Sequence, residues 1–489
     1  MRLLIVAAVV LSAALAPQKP APTVPPNIVF ILADDLGYNE LGSYGQKHIR
    51  TPRLDRLAAE GMRFTQFYSG STVCAPSRGT FLTGLHTGHS YVRDNYGAGT
   101  HADDDEQGQF PLPADHPTLA RALRARGYTT AMVGKWGLGG PGSTGVPNRQ
   151  GFDFFFGYLD QRQAHNYYPT HLWKNEERFP LRNPWFSPHQ KHAGDPNDPA
   201  AYEKYRGTDY SVDFMTREAV GWLRANAAKP FFLYFAPTIP HLALQVPEAA
   251  LKEYEGKFPE TPYLGDRQYL PNRTPRATYA AMITYLDAQV GQILDTLKAI
   301  GADERTLVVF TSDNGAILRI SPAEFFESNK PLRGEKTNVY EGGIRVPMIA
   351  RWPGWIKGGT TSNHVGANWD MWATFAELTG AAPPQPTDGI SIAPTLLGRA
   401  GQRQHDSLYW ENHAQGGMQA VRMGRWKGVR HAMAKRPDAP LELYDLERDI
   451  SESNDLAAAN PEIAQRIETL MKTSRTPAVI PRWNFGTTK

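Results

Sequence analysis

Short runs in which almost every residue is apolar recur along the chain and are separated by amphipathic segments. Four of these runs are NIVFILA (27–33), FFLYFA (231–236), TLVVF (306–310) and VPMIA (346–350). A strand with apolar side chains on both faces is typical of a parallel sheet that helices cover on both sides. The pattern therefore predicts several buried strands.

The segments between these runs show the helical period of about 3.6 residues. Thr51 is a candidate N-cap, Pro52 suits the first position of a helix, and Gly61 suits its end. Further helical patterns cover 118–127 and 279–301. Helices that alternate with buried strands predict an α/β fold, with a large, mostly parallel central sheet sandwiched by helices.

The pattern changes near residue 400. Short segments at 407–411, 418–430 and 441–446 are typical of antiparallel strands, and a helical pattern follows over about 461–472. We therefore predict a larger domain over 27–400 and a smaller C-terminal α+β subdomain with an antiparallel sheet over 401–489.

The first residues have the pattern of an export signal. Arg2 precedes an apolar stretch over 3–16 that ends in Ala-Leu-Ala,. We predict a signal peptide over 1–16, a Pro-rich linker over 17–26, and a periplasmic or secreted protein. Because the stretch is shorter than the roughly 20 residues that span a bilayer, stable membrane insertion is not expected. An uncleaved anchor is the alternative, since Pro17 is a poor residue after a cleavage site.

The charge and cysteine content limit the classes of binding partner and covalent cross-link that are expected. The formal net charge is +3, and the chain has no sustained basic run, so nucleic-acid binding is not expected,. The acidic run at 101–106 is interpreted as a solvated loop, with a second cation site as the weaker alternative. Cys74 is the single cysteine, so no internal disulfide can form, and a lone cysteine is ordinarily a buried structural thiol,.

Polar side chains follow two of the predicted strands. Asp34 and Asp35 follow the first, and Asp313 and Asn314 follow another. In open α/β sheets, ligands bind beyond the carboxyl ends of the strands. Three carboxylates and an amide carbonyl form a set of hard oxygen ligands, which favours calcium or magnesium over zinc.

Cys74 lies between a predicted strand and a helix that the chain enters through Pro76. A helix N-terminus favours negative charge, and Arg78 adds a fixed cation with a planar set of donors. This stretch therefore suits an anionic nucleophile or an anionic substrate.

The stretch CAPSRGTFLTG resembles the signature of type I sulfatases, in which Cys-x-Pro-x-Arg directs oxidation of the cysteine to formylglycine. Further segments resemble that family in the family's order: PNIVFILADDLGYNELGSYG, GYTTAMVGKWGLG, IPH, SDNG, KTNVYEGGIRVPMI and ELYDL. The resemblance covers nearly the whole chain from Asn27. It implies an alkaline-phosphatase-like fold and a sulfuric ester hydrolase whose catalytic domain is the 27–400 domain.

The resemblance also implies roles for individual residues. A maturation enzyme would convert Cys74 to formylglycine, whose hydrate attacks the sulfur atom. A cation, calcium more often than magnesium, would be bound by formylglycine-74 with Asp34, Asp35, Asp313 and Asn314. Arg78 would hold the formylglycine. Lys135, His241 and Lys336 would surround the sulfate and the leaving oxygen. The positive side chains among them would stabilise the negative charge on these oxygens, and His241 would protonate the leaving alcohol.

One position departs from the family pattern. The family usually has GKWHLG, and its histidine assists release of sulfate from the formylglycine. This chain has GKWGLG, with Gly137 at that position. We expect His165 or Gln163, from the segment 157–173, to enter the pocket as a replacement. A surface or structural histidine is the alternative.

Other residues are weaker candidates. His86, His89 and Arg93 could line the rim of the substrate pocket, although such residues more often cap turns or face solvent. Aromatic residues of 167–173 and Trp185 could stack on a sugar or aryl ring, although packing is the commoner role.

Three functions follow from these residues. The favoured one is an exported sulfatase that acts on a sulfated glycan or an aryl sulfate. The second is a phosphate or phosphonate ester hydrolase of the same superfamily, because the pocket cations would accept either anion. The third is a catalytically impaired, sulfatase-like binding protein, which Gly137 suggests.

Overall fold

The structure is a computed structural model that describes residues 24–97 and 106–486. Among these residues the strands are β1 (Asn27–Ala33), β2 (Met62–Tyr68), β3 (Thr129–Lys135), β4 (Phe154–Tyr158), β5 (His171–Lys174), β6 (Glu177–Pro180), β7 (Phe231–Ala236), β8 (Thr306–Ser312), β9 (Arg345–Arg351), β10 (Thr360–Ser362), β11 (Gly366–Ala367), β12 (Leu408–Asn412), β13 (Met418–Met423), β14 (Trp426–His431) and β15 (Leu441–Asp445). The α-helices are α1 (Pro52–Glu60), α2 (Cys74–Thr83), α3 (Leu119–Ala125), α4 (Ser211–Asn226), α5 (Glu248–Leu251), α6 (Pro275–Ala299), α7 (Glu341–Ile344), α8 (Asp370–Thr379), α9 (Ala393–Leu396) and α10 (Pro461–Thr473).

The first eleven strands form one sheet. Its order is β10-β2-β9-β8-β1-β7-β3-β4-β5-β6, and β11 pairs with the end of β2. The five central strands, from β8 to β4, are parallel to one another. Antiparallel partners extend this core on both sides, with β9 next to β8 and β5 next to β4. The predicted α/β fold with a mostly parallel central sheet is therefore confirmed.

The two faces of the sheet explain why its strands are apolar at every position. Along β1, Val29 and Ile31 belong to a core that includes side chains of α1, α4 and α6. Ile28 and Phe30 point to the opposite face and pack with side chains of α2, α3 and α8. Because successive side chains of a strand point to opposite faces, a strand between two helical layers needs apolar residues throughout.

The C-terminal residues form a second sheet, as predicted. Strands β12, β13, β14 and β15 are antiparallel in chain order. Helix α10 lies close against this sheet, since a Cβ at Gly428 would come within 2.4 Å of Ile467 Cγ2. The other face meets the central-sheet domain, where Trp410 packs on Tyr68 and Trp369. The division at residue 400 stays a prediction.

A buried ionic network also joins the two sheets. Lys427 Nζ, on β14, lies 2.9 Å from a carboxylate oxygen of Glu341 and 2.9 Å from one of Glu452, and all three side chains have no solvent exposure. Glu341 begins α7 and also accepts a hydrogen bond from the Tyr68 hydroxyl at 2.7 Å. The network therefore links β14 to the edge of the central sheet.

Two local details differ from the sequence predictions. Helix α2 begins at Cys74, two residues before Pro76, which is tolerated because the first amides of a helix have no partner within the helix,. Thr51 does precede α1, but its hydroxyl accepts from Gly42 N instead of from an amide of the helix.

The predicted signal peptide over 1–16 and most of the linker lie outside the described residues. Within the described ranges, no helix combines the length and apolar character needed to cross a membrane.

Candidate active site

The carboxyl ends of the parallel strands bring the predicted site residues to one edge of the sheet. Asp34 and Asp35 follow β1, Asp313 and Asn314 follow its neighbour β8, and Lys135 ends β3. Asp35 has a φ of 63°, in the left-handed region, so the chain turns sharply where β1 ends,.

Cys74 lies at the centre of these groups. Its Sγ is 3.6 Å from Asp34 Oδ1, 3.5 Å from Lys135 Nζ and 3.3 Å from Lys336 Nζ. The side chain is buried, and burial raises the pKa of its thiol to about 12, despite the two ammonium groups. An unmodified Cys74 is therefore a protonated thiol near neutral pH.

Positive side chains pair with the buried carboxylates. Lys135 Nζ donates to Asp34 Oδ2 at 2.7 Å, and Lys336 Nζ donates to Asp35 Oδ2 at 2.8 Å. Burial opposes ionisation of Asp34, but Lys135 and other nearby cations hold its pKa well below the usual value. Each carboxylate is therefore held at a defined place by a cation.

Arg78 joins the carboxylates to β3. Its Nη2 donates to Asp313 Oδ2 at 2.8 Å and lies 3.6 Å from Asp34 Oδ2, while its Nη1 donates to the carbonyl oxygen of Lys135. Burial and the neighbouring Asp34 carboxylate raise the pKa of Asp313 to about 6. The guanidinium is fully buried and links the end of β3 to Asp313, which follows β8.

The donor set fits a hard cation. Ligand atoms of Asp34, Asp35, Cys74 and His241 all lie within 4.8 Å of one another. Asn314 Nδ2 donates to Asp35 Oδ1 at 2.7 Å, but Asn314 Oδ1 is buried and has no hydrogen-bond partner in the described part of the chain. A buried acceptor without a partner is costly, and a cation would satisfy it.

His241 is the one imidazole in this cluster of possible metal ligands within the described residues. Its Nε2 lies 3.6 Å from Asp35 Oδ2, and its Nδ1 faces the carbonyl oxygen of Leu242. Because a carbonyl only accepts, Nδ1 carries a proton and Nε2 faces the site. Tyr167 is fully buried, and its hydroxyl lies 2.6 Å from the carbonyl oxygens of Thr238 and His241, which fixes this loop.

His165 lies directly against His241. The two rings stack with centroids 4.9 Å apart and planes 14° apart. His165 Nδ1 lies 3.1 Å from His189 Nε2, and His189 Nδ1 lies 2.6 Å from the carbonyl oxygen of Gln268. That carbonyl requires a proton on His189 Nδ1, so His165 Nδ1 donates to His189 and His165 Nε2 is unprotonated. The role of His165 stays a prediction.

Gln163 and the acidic run form a different group. Gln163 Nε2 lies 3.3 Å from His171 Nε2, which lies 3.1 Å from Glu106 Oε2. Trp173 Nε1 donates to Glu106 at 3.0 Å. Residues 101–105 lie outside the described residues, but Glu106 is buried, so the end of the acidic run is a structural carboxylate and not a solvated one.

The three proposed rim residues lie elsewhere. His86 follows the C-terminal end of α2, whereas Cys74 begins this ten-residue helix, which is roughly 15 Å long,. His89 Nδ1 lies 2.9 Å from Asp388, and Arg93 donates to the buried Glu411 at 3.1 Å. The expected rim position is therefore wrong for His86 and His89, which pair with Asp388 within the central-sheet domain, and Arg93 instead joins this domain to Glu411 on β12. Trp185 does remain exposed.

Gln161 is a site-edge residue that no sequence motif marks. Gly137 has a φ of 89°, and a Cβ built on it would lie 2.1 Å from Gln161 Nε2. The amide of Gln161 thus fills the space that a side chain at 137 would need. The glycine at 137 was the one signal in the sequence, but it does not show which residue fills the space.

Comparisons with known proteins indicate a single family. A sulfatase family model matches residues 26–381, and a model described as N-sulphoglucosamine sulphohydrolase, C-terminal, matches 334–476. N-acetylgalactosamine-6-sulfatase of Mus musculus is 32% identical over 436 residues, which are 87% of this chain and 74% of that protein. Arylsulfatase A of Homo sapiens is 33% identical over 481 residues, which are 91% of this chain and 87% of that protein.

A solved structure is similar over almost its whole length. The crystal structure of Ps i-CgsB in complex with k-i-k-neocarrahexaose superposes with a TM-score of 0.74 at 26% identity and covers 95% of each chain. Together with the family model, which matches well over half of the residues, this identifies the protein: the chain belongs to the sulfatase family and is a sulfuric ester hydrolase.

Proposed function

We propose that this protein is exported and hydrolyses sulfate esters of glycans or aryl alcohols, using formylglycine made from Cys74 and a bound divalent cation, calcium or magnesium. The single observation that carries the proposal is the setting of Cys74. Cys74 is the first residue of the buried helix α2, and its Sγ contacts Lys135, Lys336 and Asp34. As a thiol it is a poor nucleophile there, which supports its conversion before catalysis,.

The residues present fit both groups. When bound, the cation and the formylglycine supply a hydroxyl nucleophile of lowered pKa and positive charge for the sulfate oxygens. The cation would be held by side-chain oxygens at the ends of β1 and β8, namely those of Asp34, Asp35, Asp313 and Asn314. The unpartnered oxygen of Asn314 supports this assignment.

The chain's own cations would bind the sulfate group. Lys135, at the end of β3, and Lys336, in the segment before α7, both approach Cys74 Sγ and are both buried, so their charges act with little screening by water,. We assign to them the neutralisation of charge on the sulfate oxygens and on the leaving oxygen. Arg78 would keep Asp313 and Lys135 in register.

His241 would transfer a proton to the leaving alcohol. Its Nδ1 carries a proton that faces the Leu242 carbonyl, so Nε2 must first take up the proton that it passes on, although burial lowers the pKa of this imidazole to about 4,. His165 stacks on His241 and offers an unprotonated Nε2, which suits a group that takes up a proton during release of sulfate,.

A neighbouring cavity supports a glycan substrate. It has a volume of about 610 Å³. Its lining includes the apolar Leu244 and Leu318, three arginines and two acidic residues, namely Arg267, Arg276, Arg319, Asp266 and Glu324. Leu244 comes three residues after His241. The backbone amides of Leu318 and Arg319 donate to Glu335, the residue before Lys336. Arginines beside apolar walls suit a sulfated sugar next to the reacting group.

The test combines mass analysis with turnover. In protein produced with a formylglycine-generating enzyme, the peptide that contains Cys74 should have the mass of formylglycine, and p-nitrophenyl sulfate should be hydrolysed faster than p-nitrophenyl phosphate. Cys74→Ala should abolish turnover. Faster phosphate hydrolysis would favour the phosphatase alternative. Formylglycine without any sulfate hydrolysis would favour the impaired binding protein, and turnover by an unmodified thiol would refute the proposed nucleophile.

A further inference from the structure

Gln161 and Gly137 form an interlocking pair at the edge of the active site. The side chain of Gln161 is 5% exposed, and its Nε2 has no hydrogen-bond partner within the described residues. A Cβ at position 137 would lie 2.1 Å from Nε2 and 2.6 Å from Cδ of Gln161. Any side chain at 137 would therefore have to displace this amide.

The pair lies just beyond the strand end that carries Lys135. Gly137 follows the end of β3 by two residues, and the last residue of that strand, Lys135, reaches Cys74 Sγ. The loop that carries Gln161 also carries His165, which stacks on His241. This loop therefore places Gln161 beside Gly137 and, four residues later, His165 beside His241.

The backbone of Gln161 is held in place. Its amide nitrogen donates to Gln109 Oε1 at 2.9 Å, and Gln109 Nε2 donates to Asp160 Oδ1 at 3.0 Å. A fixed backbone, a buried side chain and a donor without a partner together describe a preorganised hydrogen-bond donor. Asn314 Oδ1 is the matching buried acceptor, which suits a cation; the donor of Gln161 suits an anionic oxygen.

We propose that Gln161 Nε2 donates a hydrogen bond to an oxygen of the bound sulfate group, and that Gly137 leaves the space for it. The inference rests on the proposed sulfatase function and adds a substrate-binding residue to it. An amide neither gains nor loses a proton near neutral pH, so Gln161 binds and orients the substrate and takes no part in proton transfer.

Three variants of Gln161 separate this role from simple space filling. Gln161→Met keeps the length and burial but removes the donor. Gln161→Glu keeps the shape and replaces the donor with an anionic acceptor. Gln161→Asn keeps the amide but withdraws it, and it serves as a second variant if one of the others folds poorly. Gln419→Met is the matched control, because the buried amide of Gln419 donates to Tyr409 and to Met471 in the C-terminal subdomain.

The experiment measures sulfate binding and turnover on the full chain. Isothermal titration with sodium sulfate gives the dissociation constant, and p-nitrophenyl sulfate gives KM and kcat. A lost hydrogen bond to a charged group should weaken sulfate binding and raise KM roughly tenfold in Gln161→Met. Gln161→Glu should weaken both further, because a carboxylate repels sulfate, and Gln419→Met should stay within about twofold of the wild type.

The outcomes are distinct. Wild-type turnover together with unchanged sulfate binding in folded Gln161→Met and Gln161→Asn would overturn the inference while the proposed function stands. Wild-type protein that binds sulfate through Gln161 but hydrolyses no sulfate ester would refute the proposed function and keep the binding role. Equal losses in Gln161→Met and Gln419→Met would show that removing any buried amide disturbs the fold, and would also overturn the inference.

Discussion

Replacing Lys427 with methionine tests how strongly the C-terminal sheet is tied to the central sheet. The Lys427 ammonium lies 2.9 Å from a carboxylate oxygen of Glu341 and 2.9 Å from one of Glu452, with no exposure of the three side chains. Methionine keeps the length and removes the charge. Two carboxylates then lose the cation that compensates for their burial.

The pKa values give the direction of the effect. Burial opposes ionisation of Glu341, yet Lys427 and Arg345 lower its pKa to about 2. Burial raises the pKa of Glu452 to about 7, although Lys427 opposes this. Without Lys427, Glu452 must take up a proton or stay charged without this cation, whereas Glu341 keeps Arg345, whose guanidinium lies 3.2 Å from its carboxylate. Breaking a buried pair in this way costs about 3–5 kcal/mol, and we expect that loss in the free energy of unfolding.

Urea unfolding near pH 7.0 is the assay, monitored by tryptophan fluorescence because Trp410 and Trp369 lie at the same interface. The matched control is Lys472→Met, whose ammonium lies 3.3 Å from Glu468 on the surface of α10 and is 69% exposed. Exposed pairs of this kind contribute at most about 1 kcal/mol.

The combined variant Lys427→Met/Glu452→Gln sharpens the test. It neutralises one of the two carboxylates and should recover part of the lost stability. A loss below about 1 kcal/mol in Lys427→Met, equal to that of the exposed control, would refute the reasoning that this network holds uncompensated charge. So would a combined variant that is less stable than Lys427→Met alone.

Three further predictions concern pH, cation binding and substrate class. Burial lowers the pKa of His86 to about 4, below its unfolded value of 6.5. Folding therefore favours the neutral ring, and the free energy of unfolding should fall as the pH falls from 6.5 to 4, by at most about 1.4 kcal/mol per pH unit,. Urea unfolding at several pH values should show a weaker pH dependence of stability in His86→Gln. Calcium at 100-fold over its dissociation constant should raise the free energy of unfolding by about 2.7 kcal/mol relative to protein treated with a chelator, as measured by thermal unfolding. An equal stabilisation of Asn314→Leu by calcium would contradict the assignment of Asn314 as a ligand. Sucrose octasulfate should inhibit p-nitrophenyl sulfate hydrolysis, and its inhibition constant should rise roughly fivefold in Arg319→Ala. The distant, exposed control Arg448→Ala should leave the constant unchanged. Equal constants in the two variants would exclude the arginine-lined cavity as a sugar site.

Local patterns in the sequence predicted most of the fold. Strands such as β1 and β8 are buried on both faces, so continuous apolar runs mark them, and the polar residues that end them mark one edge of the sheet,. The motif around Cys74 indicated the family, and the glycine at 137 marked the departure from it. These features are local, because periodicity, strand ends and short motifs are written in neighbouring residues.

Tertiary structure alone decided which side chains meet. Lys336 reaches Cys74 across 262 positions of the chain, and His165 stacks on His241 because two separate loops fold over the same strand ends. His86 is carried away from the site by the length of α2, and Gln161 fills the space beside Gly137. No local pattern encodes these contacts, since the direction of a loop and the filling of a particular space depend on non-local packing. The sequence by itself thus determined the strands, their polar ends and the family, and the packing of distant loops decided the contacts that complete the site.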